Sequence, residues 1–463
     1  MIFFWGLKMK VIIVGASHGG HEAAFELLDR YSDIDVTLYE QSDFISFMSC
    51  GMQLFLEGQT TKRDDVRNFT PTDLEMRGGK VKMNSQVIKI DPSVHQITVK
   101  NLITEDISTD SYDRLILSTG VTPALIPIKG VDLKNIYLMR GRDWAIKLNE
   151  KLHDKTVKNV VIVGAGYIGI EASEIFAKAG KQVTVIDKIT QPLGNYLDEP
   201  LSSEVKNELI KNGVSLHLGH GVSEFKGDSG VTQVVTDDVQ NFAADLCIIA
   251  AGVRPNTDWL AGTVDIDSRG WIATDPFLRT SQPDIFAIGD AILPAYASVG
   301  KQAPIALAST ARREARYVAE NIYQMSQPER PFSGVNGTSA LRVFGLQLAN
   351  TGLNDYSAKN LSIKTESSLY VGSLLPSFVK LDNPRVMVKL TYNPINHVIL
   401  GGQILSQANV VEIVNTIALA IKGKMTLSDL AEADFFFQPS FDKQWSILNL
   451  AAQHALGEYM TIA

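Results

Sequence analysis

The 463-residue chain holds only two cysteines, Cys50 and Cys247. Two thiols cannot make a disulfide framework, which fits a reducing, cytoplasmic setting. Positive charge is not in excess: 43 Lys and Arg against 51 Asp and Glu leave a net charge of −8. That balance excludes nucleic acid or an anionic membrane as the main partner. No apolar run reaches the roughly 18 residues that a spanning helix needs, so no membrane span is expected. The apolar start Met1 to Leu7 lacks a basic region and a small-residue cleavage site, so it is no signal peptide. Residues 1–8 are expected to be a disordered extension, with a more natural beginning at Met9. His21, His95, His153, His217, His220, His397 and His454 have no carboxylate or cysteine partner at metal-site spacing, and no metal is expected.

What is present is a chain long enough for about three domains. Lys10 to Val14 is a β-branched run of the kind that forms a buried parallel strand. It ends in Gly15-Ala16-Ser17-His18-Gly19-Gly20, and apolar residues at helical spacing (Ala23, Ala24, Leu27, Leu28) follow. A second strand, Val36 to Tyr39, delivers Glu40. Strand, glycine turn, helix, strand and acid make the dinucleotide fingerprint in its proper context. Gly15 permits the tight turn, the amides of Gly19 and Gly20 can meet a pyrophosphate, and Glu40 can accept from a ribose. Ser17 departs from the pattern, since a glycine usually stands there.

The unit recurs. Asn159 to Val163 leads into Gly164-Ala165-Gly166-Tyr167-Ile168-Gly169, a helical run from Glu171 to Ala179, and a strand ending in Asp187. Two copies in full context point to a flavoprotein that binds two dinucleotides. A carboxylate at Asp187 favours NADH because it repels a 2′-phosphate, although the adjacent Lys188 leaves some NADPH use open. Tyr112 to Gly120, carrying Ser118-Thr119-Gly120, is a buried strand running into a small-residue turn, and Leu246 to Gly252 echoes it. Phe286 to Ala291 presents Gly289-Asp290, suited to hold the ribityl chain of a flavin. The expected organisation is α/β: a discontinuous FAD domain (1–122 and 254–328), an inserted NADH domain (123–253) and an α+β dimerisation domain (329–463). In the last, strands are expected at 368–371, 385–391 and 398–405 and a helix at 410–421. The Phe435-Phe436-Phe437 and Phe441 cluster reads as core or subunit interface.

Cys50 follows the first nucleotide unit directly and has no second thiol nearby. The segment Ser46 to Glu57 (SFMSCGMQLFLE), the Gly15–Gly20 turn, Tyr137 to Ile146, Gly252 to Thr257 and Ala433 to Pro439 together resemble the pyridine nucleotide-disulfide oxidoreductases. The resemblance runs from Met9 over nearly the whole chain and points to the single-cysteine peroxide and oxygen reductases, with NADH peroxidase first and water-forming NADH oxidase next. It implies bound FAD reduced by NADH and a Cys50 that alternates between thiolate and sulfenic acid. The thiolate would attack an O–O bond, leaving Cys–SOH. The resemblance places the catalytic histidine at His18 and the active-site arginine at Arg312. Ser49, Thr119 and Gly120 would line the flavin site. Tyr167 would shield its nicotinamide side, Tyr196 would meet the adenosine end of NADH, and Gly252 would lie beside that site. Tyr296-Ala297-Ser298 departs from the family pattern.

The expected activity is therefore reduction of hydrogen peroxide by NADH. The alternative is water-forming reduction of O2, which would use the same residues. Coenzyme A-disulfide reductase fits less well, because the first helix carries Glu22, Glu26 and Asp29 where basic residues should meet a 3′-phosphate. A low-turnover flavin redox sensor is a further possibility from a different class. Cys247, within Leu246 to Ile249, reads as an inert core thiol. A homodimer or homotetramer is expected.

Overall fold

The computed structural model describes residues 8–60, 66–124, 127–323 and 330–458. The extension expected at 1–8 falls almost wholly outside these residues, as does most of the linker around 324–329. The β-branched run Met9–Val14 forms the central strand of a parallel five-stranded sheet. Its order is Ile285–Ala287, Arg114–Leu117, Met9–Val14, Ile34–Tyr39, Lys80–Lys82. Strands in this sheet are apolar on both faces because helices cover them. The helix His18–Arg30 packs against the sheet through Ala23, Ala24 and Leu27, and beside the helix Ala308–Asn321.

A second parallel sheet is built in the same way. Its order is Ser215–Leu218, Gln182–Asp187, Asn159–Val163, Leu246–Ile249, Ile136–Leu138. The two glycine turns superpose in their bonding. Gly15 N–H donates to the carbonyl of Tyr39 and Gly164 N–H to that of Ile186, both at 2.8 Å. The chain leaves the first sheet after Leu117 and returns to it at Ile285, so the second sheet lies in sequence between two strands of the first. Val121–Pro123 and Val253–Pro255 pair antiparallel at that crossing.

The C-terminal region is an antiparallel five-stranded sheet ordered Ser339–Val343, Leu346–Gly352, Ile399–Ser406, Arg385–Tyr392, Glu366–Ser373. The first two strands were not legible in sequence, because Ser339–Val343 alternates exposed and buried residues over only five positions. One face, with Leu341, Val343, Leu348, Met387 and Leu405, merges into the core of the second nucleotide unit. The other is covered by the helices Ile413–Lys422 and Ile447–Ala455. A buried ionic knot ties these layers. Lys389 Nζ meets Asp198 Oδ2 at 2.6 Å and also bonds Asp355, while Gln403 Nε2 donates to the same Asp198 oxygen at 2.5 Å. Of the aromatic cluster expected as core or subunit interface, Phe435 packs against the C-terminal core, while Phe436, Phe437 and Phe441 are exposed in the single chain. No helix among the described residues is long and apolar enough to cross a membrane.

Candidate active site

Each nucleotide helix starts with bare amides. Ser17 at the start of His18–Arg30 and Gly166 at the start of Tyr167–Lys178 make no side-chain cap. Uncapped helix starts leave N–H donors for an anionic ligand. The carboxylates at the strand ends hold the turns in place. Glu40 accepts from Ala16 N–H at 2.8 Å, and Asp187 accepts from Ala165 N–H at 2.6 Å and Ile189 N–H at 3.1 Å. The glycines divide by purpose. A Cβ on Gly20 would lie 1.8 Å from the Gly15 carbonyl oxygen, and one on Gly169 1.9 Å from that of Gly164, so both serve close helix–strand packing. A Cβ on Gly166 would meet nothing within 4 Å. Its bareness leaves room for a pyrophosphate rather than for protein.

A cavity of about 680 Å³ opens at the C-terminal edge of the first sheet. Gly15, Ser17, His18, Gly19, Glu40, Ser49, Cys50, Thr119, Gly120 and Asp290 all line it. Sequence-distant residues thus converge because all of them follow strand ends, where open α/β sheets bind ligands. The residues fit FAD. Thr119 Oγ1 and both ring nitrogens of His18 are buried with no partner in the protein, leaving donors and acceptors for a polar ligand. The segment bearing Cys50 is docked onto the glycine turn by Ser46, whose N–H donates to the Ala16 carbonyl at 2.8 Å. Ser46 takes φ of 60°, an uncommon conformation for a residue with a Cβ. Cys50 then sits in the short turn Ser49–Gly51 that leads into the helix Met52–Leu56.

Electrostatics at the thiol differ from the sequence reading. Cys50 is exposed to the cavity, yet desolvation by the protein packed around it and then the Glu171 carboxylate push its thiol up; the cation opposing them is Arg140, which pairs with Asp290 at 2.8 Å. Arg312 does not line the cavity. It lies behind the histidines, its Nη2 3.5 Å from His21 Nε2 and its Nε 3.7 Å from Glu22. The tertiary fold, and no nearby sequence, decided which arginine faces the thiol. His18 is pushed below the ordinary histidine range by burial and by Arg312. It is therefore neutral at neutral pH, so it offers an imidazole N–H rather than a cationic acid. Fully buried His21 is lowered further, to about 3, chiefly by burial, and packs its ring edge on Phe69.

Sequence reading also passed over Glu171. Burial, with Glu174 and Glu57 nearby, raises its carboxyl to about 7. A clue existed in the sequence, since Glu171 and Glu174 fall one helical turn apart. Nothing there showed that Glu57 joins them. Tyr167 hydrogen-bonds Asn350 at 2.6 Å and Ser339 at 2.9 Å, both in the C-terminal sheet. Its ring stacks on Tyr196 with centroids 4.3 Å apart. The two rings expected at opposite ends of NADH thus form one pair, because the 188–198 loop folds back over the helix start. Cys247 is fully buried in the second sheet and its thiol is pushed far up by burial. It lies away from Cys50. His217 and His220 do find a carboxylate, Asp238, contrary to the spacing argument, because the turn after Gln233–Thr236 delivers it.

Comparison with known proteins agrees with this fold. Residues 9–315 match the family model described as pyridine nucleotide-disulphide oxidoreductase, and residues 338–447 match that family's dimerisation domain. The chain is 38% identical over 450 residues to an NADH oxidase of Enterococcus faecalis, covering 97% of this chain and 99% of the relative. It is 31% identical to an NADH oxidase of Streptococcus pyogenes, covering 96% and 98%. The solved water-forming NADH oxidase from Lactobacillus brevis bound to NADH superposes with a TM-score of 0.92 at 34% identity, covering 97% and 99%. With its two nucleotide units, its C-terminal sheet and a thiol at the cavity wall, the chain belongs to the pyridine nucleotide-disulphide oxidoreductases, as an FAD-dependent, NADH-oxidising enzyme.

Proposed function

We propose that the enzyme is a water-forming NADH oxidase: 2 NADH + 2 H⁺ + O2 → 2 NAD⁺ + 2 H2O. This replaces peroxide as the main oxidant with the alternative weighed from the sequence, since the relatives above are named NADH oxidases. The observation that carries it is a single accessible thiol, Cys50, at the wall of the cavity, with the second thiol buried in another sheet. Bound FAD supplies acceptance of hydride from NADH and delivery of electron pairs to the oxidant.

The chain's own residues account for why water and not peroxide leaves. The Cys50 thiolate attacks the O–O bond of hydrogen peroxide formed in the cavity, giving Cys–SOH and hydroxide. A second NADH returns Cys–SOH to thiolate and releases water. No other thiol can condense with the sulfenic acid, so it persists until reduced. Arg140 works against the desolvation and the Glu171 charge that hold the thiol protonated, and His18, kept neutral by burial and then by Arg312, offers a hydrogen bond to the departing oxygen. Glu171, half-protonated near neutral pH, is a proton source beside the sulfur. Glu40, Thr119, Gly120 and Asp290 would hold FAD, and Gly164, Gly166, Ile168, Gly169, Asp187 and Gly252 NADH. The Tyr167–Tyr196 pair would gate the nicotinamide. The domain limits read from the sequence (1–122 with 254–328, 123–253, 329–463), a cytoplasmic location and a homo-oligomer joined through the 338–447 region complete the proposal.

Stoichiometry tests it. Wild-type enzyme is expected to oxidise two NADH per O2 without peroxide. Cys50→Ser should oxidise one NADH per O2 and accumulate one equivalent of hydrogen peroxide. Faster anaerobic turnover with peroxide than aerobic turnover with O2 would restore the peroxidase assignment. Water formation by Cys50→Ser would remove the thiol from the mechanism.

A further inference from the structure

We propose that His217, His220 and Asp238 form a binding site for one divalent transition-metal ion of the zinc type, outside the catalytic cavity. His217 lies within the edge strand Ser215–Leu218 of the second sheet, and His220 follows two residues after the strand ends. Their rings stack with centroids 4.9 Å apart and 24° between planes. The turn after Gln233–Thr236 lays Asp238 against both rings. His217 Nε2 is 3.2 Å from Asp238 Oδ1, and His220 Nε2 is 3.7 Å from Asp238 Oδ2. One ligand atom from each of the three residues lies within 4.8 Å of the others.

These separations suit an ion. Ligand atoms on a tetrahedral zinc, each about 2.0–2.1 Å from the metal, stand roughly 3.4 Å from one another. The His217 Nε2–Asp238 Oδ1 separation is close to that value, and the His220 Nε2 contact to Oδ2, the other oxygen of the same carboxylate, is a few tenths of an ångström longer. The supporting contacts are also those of a metal site. His220 Nδ1 lies 3.2 Å from Asp237 Oδ1, so that carboxylate holds the N–H tautomer at Nδ1 and leaves Nε2 with its lone pair. Asp237 is itself fixed by Gly221 N–H at 3.0 Å, and Thr236 Oγ1 donates to Asp238 Oδ1. Phe242 walls the ring of His217 at 5.0 Å. Two imidazole nitrogens with one carboxylate select zinc, nickel, cobalt or copper over calcium and magnesium, which prefer oxygen alone. Three protein ligands leave a coordination position for water.

The site sits close to the NADH loop. Gly219 and His220 N–H donate to the carbonyl of Asp187 at 2.8 and 3.1 Å. An ion there pins the turn that braces Asp187. The inference does not depend on which oxidant the enzyme uses.

The test uses the FAD-loaded full chain, stripped with EDTA, dialysed, and titrated with zinc chloride by calorimetry and elemental analysis. Wild type is expected to take up one zinc per chain. His217→Gln and Asp238→Asn should each weaken uptake at least tenfold, and Asp237→Asn by about 10- to 100-fold through the tautomer it holds. Cys50→Ser should leave uptake unchanged. FAD content confirms that each variant is folded. A wild type that takes up no zinc overturns the proposal, as does a loss of less than tenfold in His217→Gln and Asp238→Asn. Uptake abolished by Cys50→Ser overturns it too, by assigning the zinc to the thiol.

Discussion

Replacing Glu171 by glutamine isolates one charge beside the Cys50 sulfur. An unfolded glutamate gives up its proton near 4.5, whereas Glu171 holds its own to about 7. Between those values the native chain binds the extra proton, so stability is lost as pH rises through that window. Ionising the carboxyl fully costs the fold about 3 kcal/mol, at 1.36 kcal/mol for each tenfold change in proton affinity. Glutamine keeps the shape and never ionises. Glu171→Gln should therefore raise Tm more at pH 8.5 than at pH 4.5. The difference is roughly 3 °C if the whole chain melts together, and larger if the second nucleotide unit melts alone. The same substitution removes the charge that helps push the Cys50 thiol up. Thiolate absorbance, measured against Cys50→Ser, should then appear at lower pH in the variant. An equal Tm change at both pH values, with an unmoved thiolate titration, would refute the reasoning.

Two further substitutions probe binding and assembly. Gly166→Ala adds a Cβ that touches no protein atom, at a backbone φ of −80° that alanine accepts. It should leave FAD content and Tm unchanged while raising the KM for NADH tenfold or more; an unchanged KM would show that the pyrophosphate does not pass there. Lys389→Met strands the buried Asp198 carboxylate without its cation. Removing one partner of a buried pair costs about 3–5 kcal/mol, so urea denaturation should show a loss of that order. Asp198→Asn in the same chain should restore most of it, and failure of that rescue would rule out the pair as the cause.

The two nucleotide units and the carboxylates that end them could be read from the chain because each is local. A strand, a glycine turn and a helix lie within a few tens of residues, and their spacing is set by backbone geometry. The lone thiol after the first unit was legible for the same reason. Side-chain partnerships across sheets were not. Arg140 and not Arg312 faces Cys50, Tyr196 stacks on Tyr167, and Glu57 reaches Glu171 from the helix that follows the thiol. Each pair joins residues whose distance depends on how loops from different layers return over a strand end. Asp238 meets His217 and His220 only because the antiparallel hairpin of 222–236 turns back toward the edge strand. Local sequence thus determined which cofactors this protein was built to hold and where its one accessible sulfur lies. The tertiary structure alone decided which charges surround that sulfur, because electrostatic environment depends on distances through space that no spacing along the chain encodes.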